Sequence, residues 1–379
     1  MTMKVIYFDN AATSHYKPMC VKWAFFKSLI NSANPGRSGH KLSLKNAIEV
    51  YKTREVVANH FGGIEPENVV FTKNCTEALN IVIQGICNKK NGNVIASCFE
   101  HNSVLRPLHE LERQNKITLT IIYPKNKRYI TEQDVLEHLK NDTFLVAVGS
   151  ISNVTGYKNS YEKIAELCRK KSILYLLDNA QGVGHIEIDM KKLNIDYLTF
   201  SGHKGFLTPQ GIGALCINCK EKPSPLLFGG TGTESDNLLQ PLTPPEAYES
   251  GTIATNLIYS LNAGIKYVEK NINQNNQKVY NLTKYLIENL QKIKGVTLYS
   301  EPNVSGVVGF NVDGFDSVEI SDYLDEKYNI ATRGGLHCAP LTHKYLGTLK
   351  SGIVRVSLCF KNTKKQIDKL LCAIKEKIN

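Results

Sequence analysis

The sequence predicts an α/β protein in which a mostly parallel β-sheet is covered by helices on both faces. Short apolar runs alternate with segments of helical periodicity from residue 69 to residue 215. The apolar runs are continuous, which is typical of strands buried on both faces rather than on one. No repeat or low-complexity segment interrupts the alternation, so one layered α/β unit accounts for this part of the chain.

The predicted strands of this unit share short apolar runs. They lie at residues 69–71, 94–96, 119–122, 144–148, 173–177, 197–200 and 213–215. The clearest helical segments between them are 76–86, 131–139 and 161–170. Parallel strands joined by helices bring their carboxyl ends to one edge of the sheet, where ligands bind.

The character of the chain changes after about residue 232, where Gly, Thr, Pro and Asn replace regular structure. A chain of 379 residues usually divides into about two domains. We therefore predict a large domain at 16–255 and a smaller domain formed by 1–15 with 256–379. In the smaller one, a long helix at 257–294 is predicted to break near 273–276. Further strands are expected at 296–299, 307–312 and 353–358, and a basic amphipathic helix at 361–377.

Composition is that of an ordinary globular protein, with 42% hydrophobic and 21% charged residues. The apolar runs are too short to span a membrane, and the N-terminus lacks the plan of a signal peptide. We therefore expect a cytoplasmic protein. The net charge is +11, but no basic run with interleaved aromatic residues indicates nucleic-acid binding. Anionic small ligands are the expected partners of the positive sites.

Ten cysteines without a secretory signal indicate reduced thiols rather than disulfides. Cys216 and Cys219 form a single CxxC pair, and no second pair completes four zinc ligands, so no metal site is expected. The other cysteines that fall within apolar patterns are predicted to lie in or near the core: Cys20, Cys87, Cys98, Cys168, Cys359 and Cys372.

Two successive strand ends carry an acid and an amine. Asp178 directly follows the run 173–177, and Lys204 closes the sequence Ser-Gly-His-Lys after the run 197–200. Pyridoxal 5′-phosphate (PLP) needs a lysine that forms a Schiff base and an acid that keeps its pyridine nitrogen protonated. The pattern therefore predicts a PLP site with Lys204 as the covalent anchor and Asp178 at the ring nitrogen.

A phosphate site is predicted beside them. Thr76 lies between a strand and a helix, where its hydroxyl can cap the helix while free backbone N–H groups face an anion. Ser201 and His203 add donors from the lysine loop. A threonine at such a position is by itself more often a simple cap, and the convergence of the segments favours the phosphate.

Three further side chains follow predicted strands and are expected in the pocket. His101 is expected to stack on the pyridine ring, although a lone histidine is also consistent with a surface or core role. Asn153 and Gln181 can reach the phenolic oxygen of the cofactor, and Asn153 can also reach a substrate carboxylate. Asn153 is equally consistent with an ordinary turn, because Thr155 and Gly156 follow it.

With these motifs in this order, the chain resembles the class V aminotransferase-like PLP enzymes, and within them the cysteine desulfurase and selenocysteine lyase group. The resemblance extends nearly end to end. It is carried by residues 7–13, 76–78, 100–101, 152–156, 178–181, 201–204, 249–252, 333–340 and 354–357. It implies PLP-dependent transferase fold type I, with a mainly parallel seven-stranded-type sheet in the large domain and a smaller α+β C-terminal domain. It also implies a homodimer in which Thr252 donates to the phosphate of the partner's cofactor.

Cys338 decides which reaction the pocket performs. Glycines before it and a proline after it indicate a loop, and His337 beside it can favour the thiolate. The equivalent cysteine of the family takes sulfur from the substrate as a persulfide; an incidental loop cysteine is the alternative. Arg355 is expected to hold the substrate α-carboxylate with two parallel hydrogen bonds. Arg333 is expected to contact substrate or to orient the cysteine loop.

The predicted function is a PLP-dependent cysteine desulfurase, which converts L-cysteine to L-alanine and leaves a persulfide on Cys338. Lys204 moves the Cα proton, and His101 is a candidate acid/base. The alternatives are a selenocysteine lyase, a cystine or C–S lyase or an aminotransferase, none of which uses Cys338 as sulfur acceptor, and a non-enzymatic scaffold. A sulfur-acceptor protein is a possible partner. The motif before His337 departs from the family pattern and is expected to alter the pocket wall over the substrate, which leaves the substrate open. The phosphate motif before Thr76 departs too, without loss of a reactive atom. The segment 228–235 also differs and is expected to reshape the dimer-interface entrance.

Overall fold

The computed structural model describes residues 5–36, 38–125 and 128–378, so residues 1–4 of the predicted smaller domain lie outside the described residues. The strands are β1 (Ile6–Tyr7), β2 (Val69–Thr72), β3 (Asn93–Ser97), β4 (Thr118–Ile122), β5 (Thr143–Ala147), β6 (Leu174–Asp178), β7 (Tyr197–Ser201), β8 (Gly213–Ile217), β9 (Val296–Leu298), β10 (Val307–Val312), β11 (Ile330–Ala331) and β12 (Val354–Ser357).

The α-helices connect these strands and cover them. They are α1 (Met19–Ile30), α2 (Lys41–His60), α3 (Cys75–Cys87), α4 (Asn102–Arg113), α5 (Glu132–Leu136), α6 (Tyr161–Lys171), α7 (Met190–Leu193), α8 (Thr255–Leu290), α9 (Ser317–Tyr328), α10 (Pro340–Leu346) and α11 (Lys364–Ile378). A short 3₁₀ helix (Pro66–Asn68) precedes β2.

Seven strands form the main sheet, in the order β2-β8-β7-β6-β5-β3-β4. β8 runs antiparallel to both of its neighbours, and the other neighbouring pairs are parallel. Alternate strand residues enter two separate cores: Leu177 and Leu198 pack on one face, whereas Leu176 and Tyr197 pack on the other. The mostly parallel sheet predicted from the continuous apolar runs is confirmed.

The smaller unit contains an antiparallel sheet of order β12-β10-β9 and a parallel pair of β1 with β11. The N-terminal segment closes onto this unit. Phe8 is buried in its core, and the Ser357 N–H donates to the Phe8 carbonyl at 2.6 Å. The start of the chain therefore lies next to β12, near the end of the chain.

Helix α8 connects the two cores without interruption. The predicted break near residues 273–276 is wrong, because α8 is one helix of 36 residues. Its first half contributes Leu261 and Ile265 to the core of the large unit, and its second half contributes Leu286 and Leu290 to the core of the smaller one. The asparagines of the predicted break face outward or lie partly buried on a helix held at both ends. The division at 255/256 stays a prediction.

The thiols divide between core and surface. Cys87, Cys98 and Cys168 are buried as predicted, and Cys359 is partly buried, but Cys20 and Cys372 are exposed. Both wrong predictions concern helices, in which a residue beside the apolar stripe faces outward; Cys372 follows buried Leu371 in this way.

Cys216 is buried in β8, and Cys219 lies at its end with its Sγ 3.2 Å from the Glu221 carbonyl. Within residues 5–36, 38–125 and 128–378, no group of three or more His, Cys, Asp or Glu side chains is placed to hold a metal ion. In the same residues, no helix combines the length and the apolar character that crossing a membrane requires.

Candidate active site

The carboxyl ends of β3, β5, β6 and β7 meet the start of α3 around one cavity. Its volume is about 260 Å³, slightly below the usual range for drug-sized ligands, so it suits a compact molecule. Eight of the side chains predicted for the cofactor line it: Thr76, His101, Asn153, Asp178, Gln181, Ser201, His203 and Lys204. Their roles toward the cofactor stay predictions, whereas their convergence is a feature of the structure.

Lys204 lies in the loop that follows β7, and its side chain enters the cavity. Burial lowers the pKa of its ammonium group, and the nearby Asp178 carboxylate only partly opposes this effect. None of the residues that the structure describes accepts a hydrogen bond from the Lys204 Nζ. The amine is therefore poised to lose its proton and to form a covalent bond.

Asp178 is the last residue of β6, and its two carboxylate oxygens have different surroundings. Oδ1 accepts a hydrogen bond from the Ala180 N–H at 2.8 Å and lies 3.5 Å from the Cys75 Sγ. Oδ2 has no hydrogen-bond partner among the described residues. One oxygen is thus held by the protein, and the other remains available to an N–H group in the cavity.

The phosphate cradle differs from the prediction in one respect. Thr76 does not cap α3; the cap is Asn74, whose Oδ1 accepts from the Glu77 N–H at 2.9 Å. Thr76 lies in the first turn, where its hydroxyl is 2.8 Å from the Ser103 Oγ. Asn74 is the cap because it immediately precedes the first helical residue and has an extended backbone itself. The Thr76 N–H has no acceptor among the described residues and remains available to an anion.

His203 presents an unpaired ring nitrogen to the cradle. Its Nδ1 is buried and has no hydrogen-bond partner within the described part of the chain. Burial, and then the charges of Lys204 and Lys17, lower the pKa of its imidazole to about 4. A buried donor without a partner is costly, so its partner is expected to be a ligand.

The donor set fits PLP. Within the described part of the chain, Lys204 supplies an amine, Asp178 an oxygen and His203 a buried ring nitrogen that have no hydrogen-bond partner. A molecule with an imine-forming carbonyl, a basic ring nitrogen and a phosphate would satisfy all three positions.

His101 stands at the edge of the cavity as the N-cap of α4. Its Nδ1 accepts a hydrogen bond from the Ser103 N–H at 3.1 Å. Burial and the charge of Lys204 lower its pKa to about 4, so the imidazole is neutral near pH 7. Ring stacking stays a prediction, and a neutral imidazole is compatible with it.

Glu100 is a site residue whose role the sequence analysis missed. Its buried carboxyl contacts the Ser97 Oγ at 2.5 Å and accepts from the Gly149 N–H, and burial raises its pKa to about 8. The available signal was an acid placed directly after the apolar run that ends at Phe99. Lys17 was missed too: its Nζ lies 2.6 Å from the Ser14 Oγ, and burial lowers its pKa to about 8.

Asn153 connects the cavity to the smaller unit. Its Nδ2 donates to the His337 carbonyl at 2.7 Å, and its own carbonyl accepts from Arg355 Nη1 at 3.1 Å. Gln181 lines the same cavity, and its Nε2 donates to the Ala11 carbonyl at 3.1 Å. Both amides therefore tie the N-terminal and C-terminal segments to the strand ends.

Arg355 is buried on β12, and its Nη2 forms an ion pair with Asp9 Oδ1 at 2.7 Å. Burial lowers the pKa of its guanidinium, and Asp9 opposes the shift. Its Nε is buried and has no partner within the described residues, and Arg355 is not among the described residues that line the cavity. Arg333 is joined to it through the backbone, because the Arg355 N–H donates to the Arg333 carbonyl at 2.8 Å.

Cys338 lies on the loop between β11 and α10, as predicted, and its side chain is exposed. Its carbonyl accepts from the Asn102 N–H at 2.7 Å, which docks the loop on the residue after His101. His337 and Cys338 both have left-handed backbones, with φ of 49° and 57°. Such consecutive conformations cost about 1–2 kcal/mol per residue outside glycine.

The expectation that His337 favours the Cys338 thiolate is wrong. The His337 ring is buried, and its Nε2 is bonded to the Ile353 carbonyl at 2.9 Å. Burial, with the charge of Arg355, lowers its pKa to about 2. A neutral ring cannot provide the positive charge that stabilises a thiolate.

Thr252 is exposed and does not line the cavity of its own chain. The segment that carries it is anchored at Glu249, which forms a buried two-point ion pair with Arg54, with one contact of 2.8 Å. The neighbouring 228–235 segment is irregular and largely exposed, and Phe228 retains 75% of its accessible surface. The contacts of Thr252 with a partner's cofactor stay a prediction.

Known proteins share this arrangement along the whole chain. The family model described as "Aminotransferase class-V" matches residues 6–370. A probable cysteine desulfurase of Pyrococcus abyssi is 34% identical over 99% of this chain and 95% of its own length. A probable cysteine desulfurase of Borreliella burgdorferi is 32% identical over 99% of this chain and 92% of its own.

Solved structures agree with the sequence relatives. The apo structure of a cysteine desulfurase from Thermococcus onnurineus has a TM-score of 0.91 and 32% identity, covering 99% of this chain and 94% of that one. The cysteine desulfurase CsdA (S-sulfonic acid) of Escherichia coli has a TM-score of 0.88 and 26% identity, covering 98% and 94%. The fold is therefore PLP-dependent transferase fold type I, and this chain belongs to the aminotransferase class V family of PLP-dependent enzymes.

Proposed function

We propose that the protein is a cysteine desulfurase that converts L-cysteine to L-alanine and retains the sulfur as a persulfide on Cys338. The observation that carries the proposal is the docking of an exposed thiol beside a cavity equipped for PLP. The Cys338 carbonyl is bonded to Asn102, the residue next to His101, which lines the cavity with Lys204. The names of the relatives support the same reaction.

PLP, when bound, supplies an electron sink that makes the Cα proton of an amino acid acidic. Lys204 would hold it covalently, and Asp178 Oδ2 would accept from its ring nitrogen. Thr76, Ser201 and His203 would hold the phosphate. Because burial lowers the pKa of Lys204, its amine could take the Cα proton of a bound substrate.

Substrate is proposed to be oriented by the smaller unit. Arg355 would bind the α-carboxylate through donors that its Asp9 ion pair leaves available, and Asn153 would contact the same carboxylate. Arg333 would orient the cysteine loop through its backbone pairing with Arg355. These contacts would place the substrate sulfur on the side of the cavity that faces Cys338.

Sulfur transfer then requires no external oxidant. The Cys338 thiolate forms a bond to the substrate sulfur, while the Cβ–S bond of the substrate breaks. The electron pair of that bond stays with the three-carbon fragment, which takes up a proton and leaves as L-alanine. The substrate sulfur is oxidised to the persulfide level and Cβ is reduced, so atoms and electrons balance. His101 is proposed as a proton donor or acceptor in these later steps.

A homodimer is proposed from exposed apolar surface. On α1, Met19, Trp23, Phe26 and Ile30 recur on one face, and Trp23 retains 62% of its accessible surface. Patches of this kind mark interaction sites in globular proteins. In such a homodimer, the exposed Thr252 is proposed to donate to the phosphate of the partner's cofactor. A cytoplasmic location is also proposed. A sulfur-acceptor protein is proposed to take the persulfide from exposed Cys338.

The test mixes PLP-loaded protein with L-cysteine and measures alanine and protein-bound persulfide. Wild type should form alanine and sulfane sulfur in equal amounts, and Cys338→Ala should lose both while keeping the cofactor absorbance. Cys372→Ala, which removes another exposed thiol on the distant helix α11, is the matched control and should behave as wild type. Sulfide and pyruvate formed equally by wild type and Cys338→Ala would instead assign a C–S lyase.

A further inference from the structure

Cys75 is a buried thiol at the start of α3 that the reaction above leaves without a task. Its Sγ lies 3.5 Å from Asp178 Oδ1 and 3.3 Å from the Thr199 Oγ1. Asp178 and Thr199 are register partners across β6 and β7, so the thiol bridges the two strand ends that carry the site. Its backbone N–H donates to the Ser201 Oγ at 3.0 Å, which fixes the thiol against the sheet.

The thiol acts as a hydrogen-bond donor and not as a nucleophile. Burial raises the pKa of Cys75 well above its usual value, and the Asp178 carboxylate raises it further. A thiol carries one hydrogen, and a carboxylate accepts more strongly than a hydroxyl. The S–H group therefore donates to Asp178, and the Thr199 hydroxyl can donate to the sulfur.

The geometry of Asp178 shows why a donor at this point matters. Oδ1 receives the Ala180 N–H along the chain and the thiol from α3. Two donors from different directions fix the rotation of the carboxylate plane, whereas the Ala180 N–H alone leaves it less constrained. The fixed plane directs Oδ2 away from the protein donors, where it remains available to the ring nitrogen.

We propose that Cys75 is a positioning residue that orients Asp178 toward the ring nitrogen of PLP through its S–H hydrogen bond. The proposal rests on the assignment of Asp178 to that nitrogen. It explains a polar contact inside a tightly packed region, where a simple hydrophobic filler would have served the packing equally well.

The experiment compares Cys75→Thr with Cys75→Val. The two replacements have the same shape and differ by one hydroxyl, so they share any packing error and differ in the donor. We measure the affinity of the apoprotein for PLP and the pH titration of the visible absorbance of the bound cofactor. Losing a donor to a charged group should weaken PLP binding by roughly 5- to 20-fold in Cys75→Val and shift the titration midpoint. Cys75→Thr should stay within about 3-fold of wild type.

Equal affinities and equal titrations for the two variants would overturn the proposal and leave Cys75 as a core residue. If Cys75→Val fails to fold, Cys75→Ala provides a smaller variant without a donor. Thermal unfolding of the apoprotein then reports the stability lost through packing, whereas PLP affinity reports the effect of the lost hydrogen bond. Asp178→Asn distinguishes the two assumptions. An unchanged titration in Asp178→Asn would overturn the assignment of Asp178 and this proposal with it, whereas a changed one with equal Thr and Val variants would overturn only the role of Cys75.

Discussion

The cofactor side and the sulfur side of the cavity are built in opposite ways. On the cofactor side, Asp178 and Lys204 stand at the ends of central strands and are enclosed by the protein. On the sulfur side, Cys338 is exposed on a loop with two consecutive left-handed residues. On the enclosed side, burial shifts the pKa of Lys204. On the exposed side, the Cys338 thiol is not buried.

The difference follows from what each side has to do. A cofactor is held through many turnovers, and rigid strand ends hold its partners in fixed positions. A sulfur carrier must meet substrate inside the cavity and an acceptor outside it, which a loop can do. The left-handed backbone of residues 337 and 338 lies on the loop that carries the proposed sulfur acceptor, in keeping with the concentration of strained backbone at functional sites. Four substitutions test this division.

The largest effect is expected on the enclosed side from Lys204→Ala. This change removes the proposed covalent anchor and the group proposed to move the Cα proton, so alanine formation should fall by about 10⁴-fold. The measurement is turnover with L-cysteine, together with the absorbance of bound cofactor. Cys338→Ala provides the contrast, because it should keep the absorbance. Turnover by Lys204→Ala near the wild-type rate would place the chemistry elsewhere.

The next effect concerns the pH dependence of stability through Glu100. Its folded-state pKa of about 8 lies above the unfolded value near 4.5, so the folded state binds more protons between these values. Stability should therefore fall as pH rises through this window, with a slope of up to about 1.4 kcal/mol per pH unit. Glu100→Gln should remove this contribution, as denaturant unfolding of the apoprotein would show. An identical slope in wild type and variant would contradict the raised pKa.

A smaller effect is expected where the two sides meet, at Arg355. Arg355→Lys keeps the charge but loses the planar guanidinium, which pairs with Asp9 and is proposed to bind the substrate carboxylate. A hydrogen bond to a charged group contributes about 1.5–3 kcal/mol, so kcat/KM for L-cysteine should fall roughly 10- to 150-fold. Most of the loss should appear in KM. PLP affinity should change little, and a large loss of cofactor would show that Arg355 supports the enclosed side instead.

The smallest effect is expected on the exposed side from His337→Gln. Glutamine can still donate to the Ile353 carbonyl, and the ring that it replaces is neutral. The dependence of the Cys338 alkylation rate on pH should therefore stay the same. The free energy of unfolding should change by about 1 kcal/mol. A pH profile that moves in His337→Gln but not in His343→Gln, the neighbouring buried histidine, would restore a charged role for His337.

The sequence was sufficient to locate most side chains of the enclosed side, though not the role of Glu100, because that side depends on strands. Continuous apolar runs located β3, β5, β6 and β7, and polar residues directly after them located Asp178, Ser201, His203 and Lys204. Buried parallel strands have a strong signal, and their carboxyl ends meet by topology.

Other features depend on contacts between distant segments, and the sequence does not reveal them. The lowered pKa of His337 results from burial and from the charge of Arg355, not from its neighbours along the chain. The cap of α3 is Asn74 and not the predicted Thr76, because the helix begins earlier in the chain than predicted. The ends of a helix are the least certain property of a prediction. Helices α1 and α2 were not predicted, because exposed apolar residues such as Trp23 and Ile48 blur the amphipathic pattern that indicates a surface helix.

The ion pair between Asp9 and Arg355 also sets an order in time. The two residues are 346 positions apart, and Ser357 is bonded to the segment that carries Asp9. A ribosome adds about 5–20 residues per second, so roughly 20–70 s separate the synthesis of the two partners. The strand ends around Lys204 are therefore synthesised before Arg355, the arginine that is proposed to bind substrate. In the growing chain, the side chains proposed for the cofactor thus exist before the one proposed for the substrate.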